Sequence, residues 1–96
     1  MDSSAIETRD RPEKSRYEIS VDGRLAGVVT YELAGDQITL VHTKVGRAFE
    51  GRGLGSRLAK DVLDDIRGRG LAVRLECRFM ARYVRSHPAY QDLLAS

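Results

Sequence analysis

Cysteine, tryptophan and proline are nearly absent from this 96-residue sequence, which has one cysteine, no tryptophan and two prolines. The lone cysteine, Cys77, cannot form a disulfide within the chain. One cysteine and two widely separated histidines also lack the spacing of a metal-ligand set, so no metal site is predicted. A chain of this length can bury one core of modest size, which predicts a single domain.

Long hydrophobic runs are missing too. No apolar stretch approaches the roughly 18 residues that indicate a membrane span. The N-terminal sequence MDSSAIETRDRPEK is polar and does not resemble a secretory signal. Together with the single cysteine, these absences predict a cytoplasmic protein that does not associate with membranes.

The sequence also lacks a large excess of one charge, because its formal net charge is only +2. The distribution is uneven: residues 1–45 carry a net −2 and residues 46–96 a net +4, and nine of the ten basic residues in the second part are arginine. The flat guanidinium suits phosphate, although a solvated basic surface explains the same pattern. The small total charge and the lack of a basic recognition helix argue against a nucleic-acid-binding module.

Hydrophobic periodicity predicts three strands in the first half of the chain. Residues 1–14 have no periodicity and contain Pro12, which predicts a flexible arm before a domain over residues 15–96. The strands are joined by an Asp22-Gly23 hairpin turn and by a turn at residues 34–36. The alternating apolar positions are Tyr17, Ile19 and Val21, then Leu25, Val29, Tyr31 and Leu33. The third strand spans about Gln37 to Val45, with Ile38, Leu40 and His42 on one face and Thr39, Val41, Thr43 and Val45 on the other.

The period changes in the second half. Helical spacing of Leu54, Leu58, Ala59, Val62, Leu63 and Ile66 predicts a helix that ends near Gly68 or Gly70. A fourth strand carries Leu71, Val73, Leu75 and Cys77, and a second helix runs from about Phe79 to Ser86 and stops before Pro88. The result is an α/β fold with a mixed sheet of about four strands and two helices. Its third strand, first helix and fourth strand form a β-α-β unit, and ligands of such units bind where the helix begins.

Three glycines at alternate positions precede the first helix. Gly51, Gly53 and Gly55 let the backbone turn tightly and approach a ligand closely. The free N–H groups and the dipole of a helix's first turn form an anion site, although a flexible connector also explains the glycines. A Walker A loop would have Lys and Ser or Thr where Arg52 and Gly53 stand. A dinucleotide fingerprint would end on glycine where Ser56 stands, so neither pattern fits.

The glycine loop resembles the acetyl-CoA loop of the GNAT superfamily of N-acetyltransferases, whose pattern is Gln/Arg-x-x-Gly-x-Gly/Ala. Gly53 and Gly55 occupy the two small positions, and Glu50 departs from the pattern at the lead position. The similarity covers roughly residues 16–95 and includes His42-Thr43-x-Val45, Cys77-x-Phe79 and His87-Pro88-x-Tyr90, in the order seen in a short stand-alone branch. Lys44 and Leu75 stand where that branch usually has an acidic residue and a proline.

This resemblance implies a minimal GNAT-like domain without the usual N-terminal helices, with acetyl-CoA bound at the loop. The superfamily holds the pyrophosphate mainly through backbone N–H groups, so the departure at Glu50 need not abolish binding. The implied binding residues are Val45, Arg47, Glu50, Gly51, Arg52, Gly53, Leu54, Gly55, Ser56 and Arg57.

Three side chains are candidates for the chemistry, since acetyl transfer to an amine needs a base and an acid for the departing thiolate. Cys77 is a candidate nucleophile that would form an acetyl-cysteine, or a small buried residue that lines the site. His42 is a candidate base or a structural histidine. The resemblance implies that Tyr83 donates a proton to the thiolate, although an aromatic residue on that helix is more often part of the core. Glu76 becomes a candidate base only if a bulge turns it towards Cys77, and His87 is expected to cap the last helix.

The sequence therefore predicts an acetyl-CoA-dependent N-acetyltransferase that acts on an exposed amine, such as a protein lysine or a polyamine. It is expected to be a monomer or weak dimer, and direct transfer and a relay through acetyl-Cys77 are both open. The alternative is a sensor or interaction module that binds CoA or acetyl-CoA without efficient catalysis, which the substitutions at positions 44, 50 and 75 favour. A third possibility, a phosphate- or RNA-binding protein, rests on the arginines alone.

Overall fold

The computed structural model describes residues 5–95, which form a five-stranded sheet and two α-helices. The strands are β1 (Ile6–Arg11), β2 (Arg16–Val21), β3 (Arg24–Ala34), β4 (Gln37–Val45) and β5 (Ala72–Leu75). The helices are α1 (Leu54–Gly68) and α2 (Arg78–Ser86), and short 3-10 turns cover Pro12–Lys14, Arg47–Phe49 and Pro88–Leu93. The strands lie in sequence order, and all neighbours are antiparallel except the parallel pair β4 and β5. The predicted α/β fold with a mixed sheet is confirmed.

Both helices pack on one face of the sheet and form a single core with it. The apolar stripe of α1 is fully buried there and consists of Leu54, Leu58, Ala59, Val62, Leu63 and Ile66. Met80 and Val84 of α2 enter the same core. Within residues 5–95 no helix covers the opposite face, which we name the outward face. Its alternating strand residues include Arg16, Glu18, Val28, Thr30 and Lys44.

Turns and helix ends follow their sequence signals. Asp22 and Gly23 have φ values of 51° and 82°, as the hairpin turn between β2 and β3 requires. Helix α1 ends at Gly68. Helix α2 ends two residues before Pro88, because a proline disfavours the helical conformation of the residue that precedes it. Neither of the two described helices is long and apolar enough to cross a membrane.

Strand β1 corrects the prediction of a flexible arm over residues 1–14. Residues 6–11 pair with residues 16–21 of β2 in antiparallel register, and a 3-10 turn connects the two strands. The remaining part of the predicted arm, residues 1–4, lies outside the described residues. Apolar alternation is missing from β1 because its inward side chains include Thr8 and Asp10. Hydrogen bonds and an ion pair hold these side chains in place of apolar packing.

A polar cluster connects β1, β2 and β3 to the end of α1. The hydroxyl of Tyr17 donates to Asp65 Oδ2 at 2.6 Å, and that of Tyr31 donates to Asp10 Oδ1 at 2.7 Å. Arg69 lies between the two carboxylates, with Nη2 2.8 Å from Asp10 Oδ2 and Nε 2.9 Å from Asp65 Oδ2. The contact with Asp10 is an ion pair without the geometry of a hydrogen bond. We name these five residues the tyrosine–aspartate cluster.

This cluster predicts that the protein loses stability in alkaline solution. Burial and then the hydrogen bond to a carboxylate raise the pKa of Tyr17 and of Tyr31 well above the usual value. Because the folded state favours the protonated phenols, their stabilisation is complete below about pH 10 and is lost as the pH rises above it. We expect the free energy of unfolding in urea to fall by about 1 kcal/mol per tyrosine between about pH 9 and about pH 11. Tyr17→Phe should flatten this slope, and an unchanged slope in that variant would contradict the assignment.

A bulge in β4 reverses the alternation predicted for its second half. Residues 31 and 30 of β3 face residues 40 and 42 of β4, so Val41 has no partner in β3. Beyond this extra residue, Thr43 takes the face that points to the helices. The prediction that His42 shares a face with Ile38 and Leu40 is therefore wrong, and its side chain is exposed on the outward face.

A second bulge, at Ala26, changes the start of β3 in the same way. Residues 25 and 27 of β3 face residues 20 and 19 of β2, so Ala26 is the extra residue. Leu25, predicted to alternate with Val29 and Tyr31, is instead 52% exposed on the outward face. Leu33 is 54% exposed because it lies at the end of the strand, beside the turn into β4.

Candidate functional site

Strands β4 and β5 part after Leu40, which leaves a cleft along one edge of β4. The parallel ladder ends where Leu40 faces Leu75. The carbonyl oxygen of Leu40 then accepts two hydrogen bonds, from the N–H of Glu76 at 2.9 Å and of Cys77 at 3.1 Å. After this the chain turns into α2, whereas β4 continues to Val45. Among the described residues, the stretch of β4 over 41–45 has strand partners only in β3, so its other edge can pair with an extended ligand.

The glycine loop follows the end of β4 and begins α1. Gly51 and Gly53 have φ values of 82° and 75°, in the left-handed region, and a Cβ on either would meet no atom within 4 Å. Gly53 is the N-cap of α1, and no side chain caps this helix. The first helical bond runs from the N–H of Arg57 to the carbonyl of Gly53 at 3.1 Å, and the N–H groups of residues 54–56 have no acceptor within residues 5–95. These free groups at the positive end of a helix form an anion site.

Phe49 lies buried beside the glycine loop, and two arginines make cation–π contacts with its ring. Its ring is 8% exposed, and the guanidinium carbons of Arg24 and Arg52 each lie 5.6 Å from its centroid. Arg24 comes from the hairpin between β2 and β3. Local sequence does not indicate this residue, because only the pairing of β3 with β4 brings the hairpin to the loop.

Phe79 of α2 covers the first turn of α1. A Cβ on Gly55 would come within 3.1 Å of the Phe79 ring, which would have to shift to accommodate it, so close packing and not φ favours glycine here. The ring itself is 38% exposed. It therefore forms a partly open wall beside the N–H groups of α1. The motif Cys77-x-Phe79 marked this position in the sequence without indicating its contact.

The other predicted binding residues surround the loop in different ways. Exposed positions are taken by Arg47, Glu50 and Ser56. Arg57 pairs with Asp61, with Nε 3.0 Å from Oδ2, so part of its charge is already offset. The side chains of Val45 and Leu54 pack against the core. These last two residues can therefore contribute to a ligand only through their backbone.

Cys77 lies where β4 and β5 part. It is the residue before α2 and not part of β5 as predicted, because its N–H already shares the carbonyl of Leu40 with Glu76. The residue is 7% exposed, and its Sγ lies 3.0 Å from Oγ1 of Thr43. The bulge at Val41 turns Thr43 towards the thiol. The pair lies on the helix-facing side of β4, within the stretch whose other edge has no strand partner among the described residues.

The structure does not bring His42 and Tyr83 to Cys77. His42 is on the outward face, on the other side of β4 from Thr43. Tyr83 follows Cys77 by six residues, which places it about 240° around α2. Burial raises the pKa of Tyr83, and the charged groups that act on it, Lys60, Asp64 and Asp61, all belong to α1. The ring of Tyr83 stacks on His87 and lies 6.2 Å from the ring of Tyr90, and no hydrogen bond joins its hydroxyl to Cys77 within residues 5–95.

The last two candidates have structural positions. His87 donates from Nδ1 to the carbonyl of Tyr83 at 2.7 Å and stacks on its ring with centroids 3.8 Å apart, which confirms its predicted role as the cap of α2. Glu76 is exposed, and no bulge of β5 turns it towards Cys77. Within residues 5–95, no three His, Cys, Asp or Glu side chains come together in a group that could hold a metal ion.

Sequence comparisons identify relatives that share most of this chain. The sequence profile of the GCN5-related N-acetyl-transferase family matches residues 16–93. Protein NATD1 of Xenopus tropicalis is 31% identical over 93 residues, which cover 95% of this chain and 85% of that protein. Protein NATD1 of Mus musculus is 37% identical over 87 residues, which cover 84% of this chain and 77% of that protein.

Solved structures show the same fold. A GCN5-like protein of Staphylococcus aureus, determined by NMR, superposes with a TM-score of 0.71 at 24% identity over 94% of this chain and 88% of its own. The ribosomal-protein-S18-alanine N-acetyltransferase of Escherichia coli gives a TM-score of 0.58 at 24% identity over 62% of this chain and 39% of its own. At 24% identity these structures show the fold alone, and the match to the sequence profile shows the family. The chain therefore belongs to the GCN5-related N-acetyltransferase family.

Proposed function

We propose that this protein transfers the acetyl group of acetyl-CoA to an exposed amine such as a protein lysine or a polyamine. Its family and fold support acetyl transfer in general. The observation that carries the finer proposal is the free edge of β4, which connects an anion site at the glycine loop to Thr43 and the buried thiol of Cys77.

The residues along this edge fit the parts of acetyl-CoA. The N–H groups of residues 54–56 and the guanidinium of Arg52 suit a pyrophosphate. The unpaired edge of β4 over residues 41–45 suits the two amides of an extended pantetheine arm. The glycines keep the backbone accessible, because no Cβ stands over the loop at positions 51 and 53. When bound, acetyl-CoA would supply an activated thioester beside Cys77.

The backbone of the cleft provides the chemistry that the side chains lack. Unpaired N–H groups at the edge of β4, next to the bulge at Val41, can stabilise the negative charge that develops on a carbonyl oxygen. Neither His42 nor Tyr83 hydrogen-bonds to Cys77 within the described residues, so the acceptor amine would lose its proton to solvent and attack the thioester directly. The C–S bond then breaks, and the departing CoA thiolate would take up a proton from solvent. The protein then acts mainly by orienting the two reactants and excluding water.

Calorimetric titration with acetyl-CoA and CoA, followed by turnover assays with lysine peptides and polyamines, tests the proposal. Binding of both compounds and repeated turnover are expected. Binding of neither would overturn the proposal. Binding without turnover of any amine would favour the second candidate, a CoA-dependent sensor or interaction module. That candidate draws support from the lack of an acid–base side chain beside Cys77 among the described residues.

Substitution of Cys77 distinguishes direct transfer from a relay. Because the thiol is buried and bonded to Thr43, we expect Cys77→Ala to keep kcat within about threefold of wild type and to lose about 1–2 kcal/mol of stability. Mass spectrometry of the wild type after incubation with acetyl-CoA should show no acetyl adduct on Cys77. An adduct that disappears in Cys77→Ala together with turnover would instead establish the relay.

A further inference from the structure

We propose that the outward face of the sheet binds the acceptor protein through an acidic, partly apolar segment next to the lysine to be acetylated. This inference rests on the proposed function and names its substrate class. A groove of about 240 Å³ lies on this face where β3 and β4 run side by side. We name it the outward groove; its lining residues are Arg16, Leu25, Ala26, Gly27, Val28, Lys44 and Gly46.

The floor of the outward groove is apolar and open. The bulge at Ala26 directs Leu25 outward, where 52% of it is exposed, and Val28 lies beside it on the same face. Gly27 and Gly46 contribute only backbone atoms to the lining, and Gly27 is buried. Leu25 also lines a neighbouring concavity of about 180 Å³ that extends over β2 to β1. An exposed leucine shared by two adjoining concavities suits the apolar side chains of a bound segment.

The rim of the outward groove is cationic. Glu18 forms ion pairs with two arginines. Nη2 of Arg16 lies 2.6 Å from its Oε2, and Nε of Arg11 lies 3.3 Å from its Oε1. The hydrogen bond from Arg16 is the largest of the influences that hold the pKa of Glu18 below its usual value, so the carboxyl stays ionised between the two guanidiniums. Lys44 takes part in none of the ion pairs found within residues 5–95. The lining of the outward groove itself contains two cations, Arg16 and Lys44, and no carboxylate, which favours an acidic partner and disfavours a polyamine.

The outward groove and the cleft share one stretch of β4. Lys44 points to the outward groove, and its neighbour Thr43 points to the opposite face and contacts Cys77. Lys44 is four residues from Leu40, where β4 and β5 part, which is about 13 Å along the strand. A segment docked in the groove therefore places a residue three to five positions away at the mouth of the cleft. The acceptor is thus a lysine with acidic and apolar residues three to five positions from it.

Fluorescence anisotropy with labelled peptides tests the docking without requiring catalysis. One peptide carries a single lysine and a segment of two leucines and two glutamates centred about four positions from it, and its partner has glutamine in place of both glutamates. We expect the acidic peptide to bind about fivefold more tightly, with the preference reduced by added salt. Equal affinity for the two peptides would overturn the proposal.

Two variants and a control locate the binding site. Lys44→Glu should remove the preference for the acidic peptide, and Leu25→Ser should weaken both peptides about threefold. Arg85→Glu makes the same change of net charge at an exposed position of α2 and should leave both affinities unchanged. An acidic preference that survives in Lys44→Glu would overturn the proposal. The proposal would also be overturned by an anionic oligonucleotide that competes fully with the acidic peptide and whose affinity Leu25→Ser does not change. The surface would then bind polyanions in general.

Turnover measurements separate the docking from the proposed function. With saturating acetyl-CoA, Leu25→Ser should raise KM for the acidic peptide about threefold and leave kcat unchanged. If the acidic peptide binds as expected but no amine is acetylated, the docking surface stands and the transferase function fails. If amines are acetylated but the acidic peptide does not bind preferentially, the transferase function stands and the docking surface fails.

Discussion

Replacement of Gly53 by valine should raise the dissociation constant for acetyl-CoA about thirtyfold while the protein remains folded. Gly53 has a φ of 75°, a conformation that a β-branched residue does not adopt without strain. The backbone at the start of α1 must then change, and the N–H groups of residues 54–56 lose their common direction. A hydrogen bond to a charged group contributes about 1.5–3 kcal/mol, and about 1.4 kcal/mol corresponds to tenfold in affinity. Calorimetric titration with acetyl-CoA measures the effect.

Gly70→Val is the matched control at the other end of the same helix. Gly70 has a φ of 70°, and a Cβ there would also meet no atom within 4 Å. Both substitutions should therefore destabilise the fold by a similar amount, about 1–3 kcal/mol. Only Gly53→Val should change the affinity for acetyl-CoA. Equal affinity in the two variants would show that the glycine loop is not where the pyrophosphate binds.

The glycine loop was the part of the site that the sequence could reveal, because its requirements are local. A glycine with positive φ and a helix start are properties of neighbouring residues, and Gly51 and Gly53 both have the conformation that their residue type suggests. The same holds for α1, whose apolar stripe is visible in the sequence and buried in the structure. The role of Gly55 was different, since it depends on the distant ring of Phe79.

The bulges could not be predicted, and they decide which side chains reach the cleft. A bulge arises when two strands pair, so the residues around Val41 carry no signal of it. Strict alternation predicts that the side chain of His42 faces the helices and that of Thr43 faces away from them. The extra residue at the bulge reverses the two orientations. The partner of Cys77 was therefore missed in the sequence, and a candidate base was assigned to a position that faces away from the thiol.

Strand β1 was missed for a related reason. Alternation rules search for apolar residues, and the inward positions of β1 include Thr8 and Asp10. These side chains bind polar groups that belong to α1 or lie next to its end. Thr8 donates to Asp61 at 2.7 Å, and Asp10 is 2.8 Å from Arg69. An edge strand held by polar contacts looks like a flexible arm when only its own sequence is considered.

Asp10→Ala should consequently lower the free energy of unfolding by about 2–4 kcal/mol. Its side chain is 10% exposed, and its removal leaves the hydroxyl of Tyr31 without its acceptor and Arg69 without one of its two carboxylates. Urea unfolding measures the loss. In a Tyr31→Phe background the same substitution should cost about 1 kcal/mol less, because one of the two broken interactions is already absent.

Glu7→Ala on the same strand is the control that separates a polar anchor from a general effect of β1. Glu7 pairs with Arg9 at 2.9 Å, but both side chains are more than half exposed, so its loss should cost less than about 0.5 kcal/mol. Equal, small effects of the two substitutions would mean that residues 6–11 contribute little to stability, as a flexible arm would.

The tyrosine–aspartate cluster lies at the C-terminal end of α1, and Asp65 is about 18 Å along the helix from Gly53. Asp10→Ala should therefore leave the affinity for acetyl-CoA unchanged below its melting temperature, in contrast to Gly53→Val, which changes affinity far more than stability.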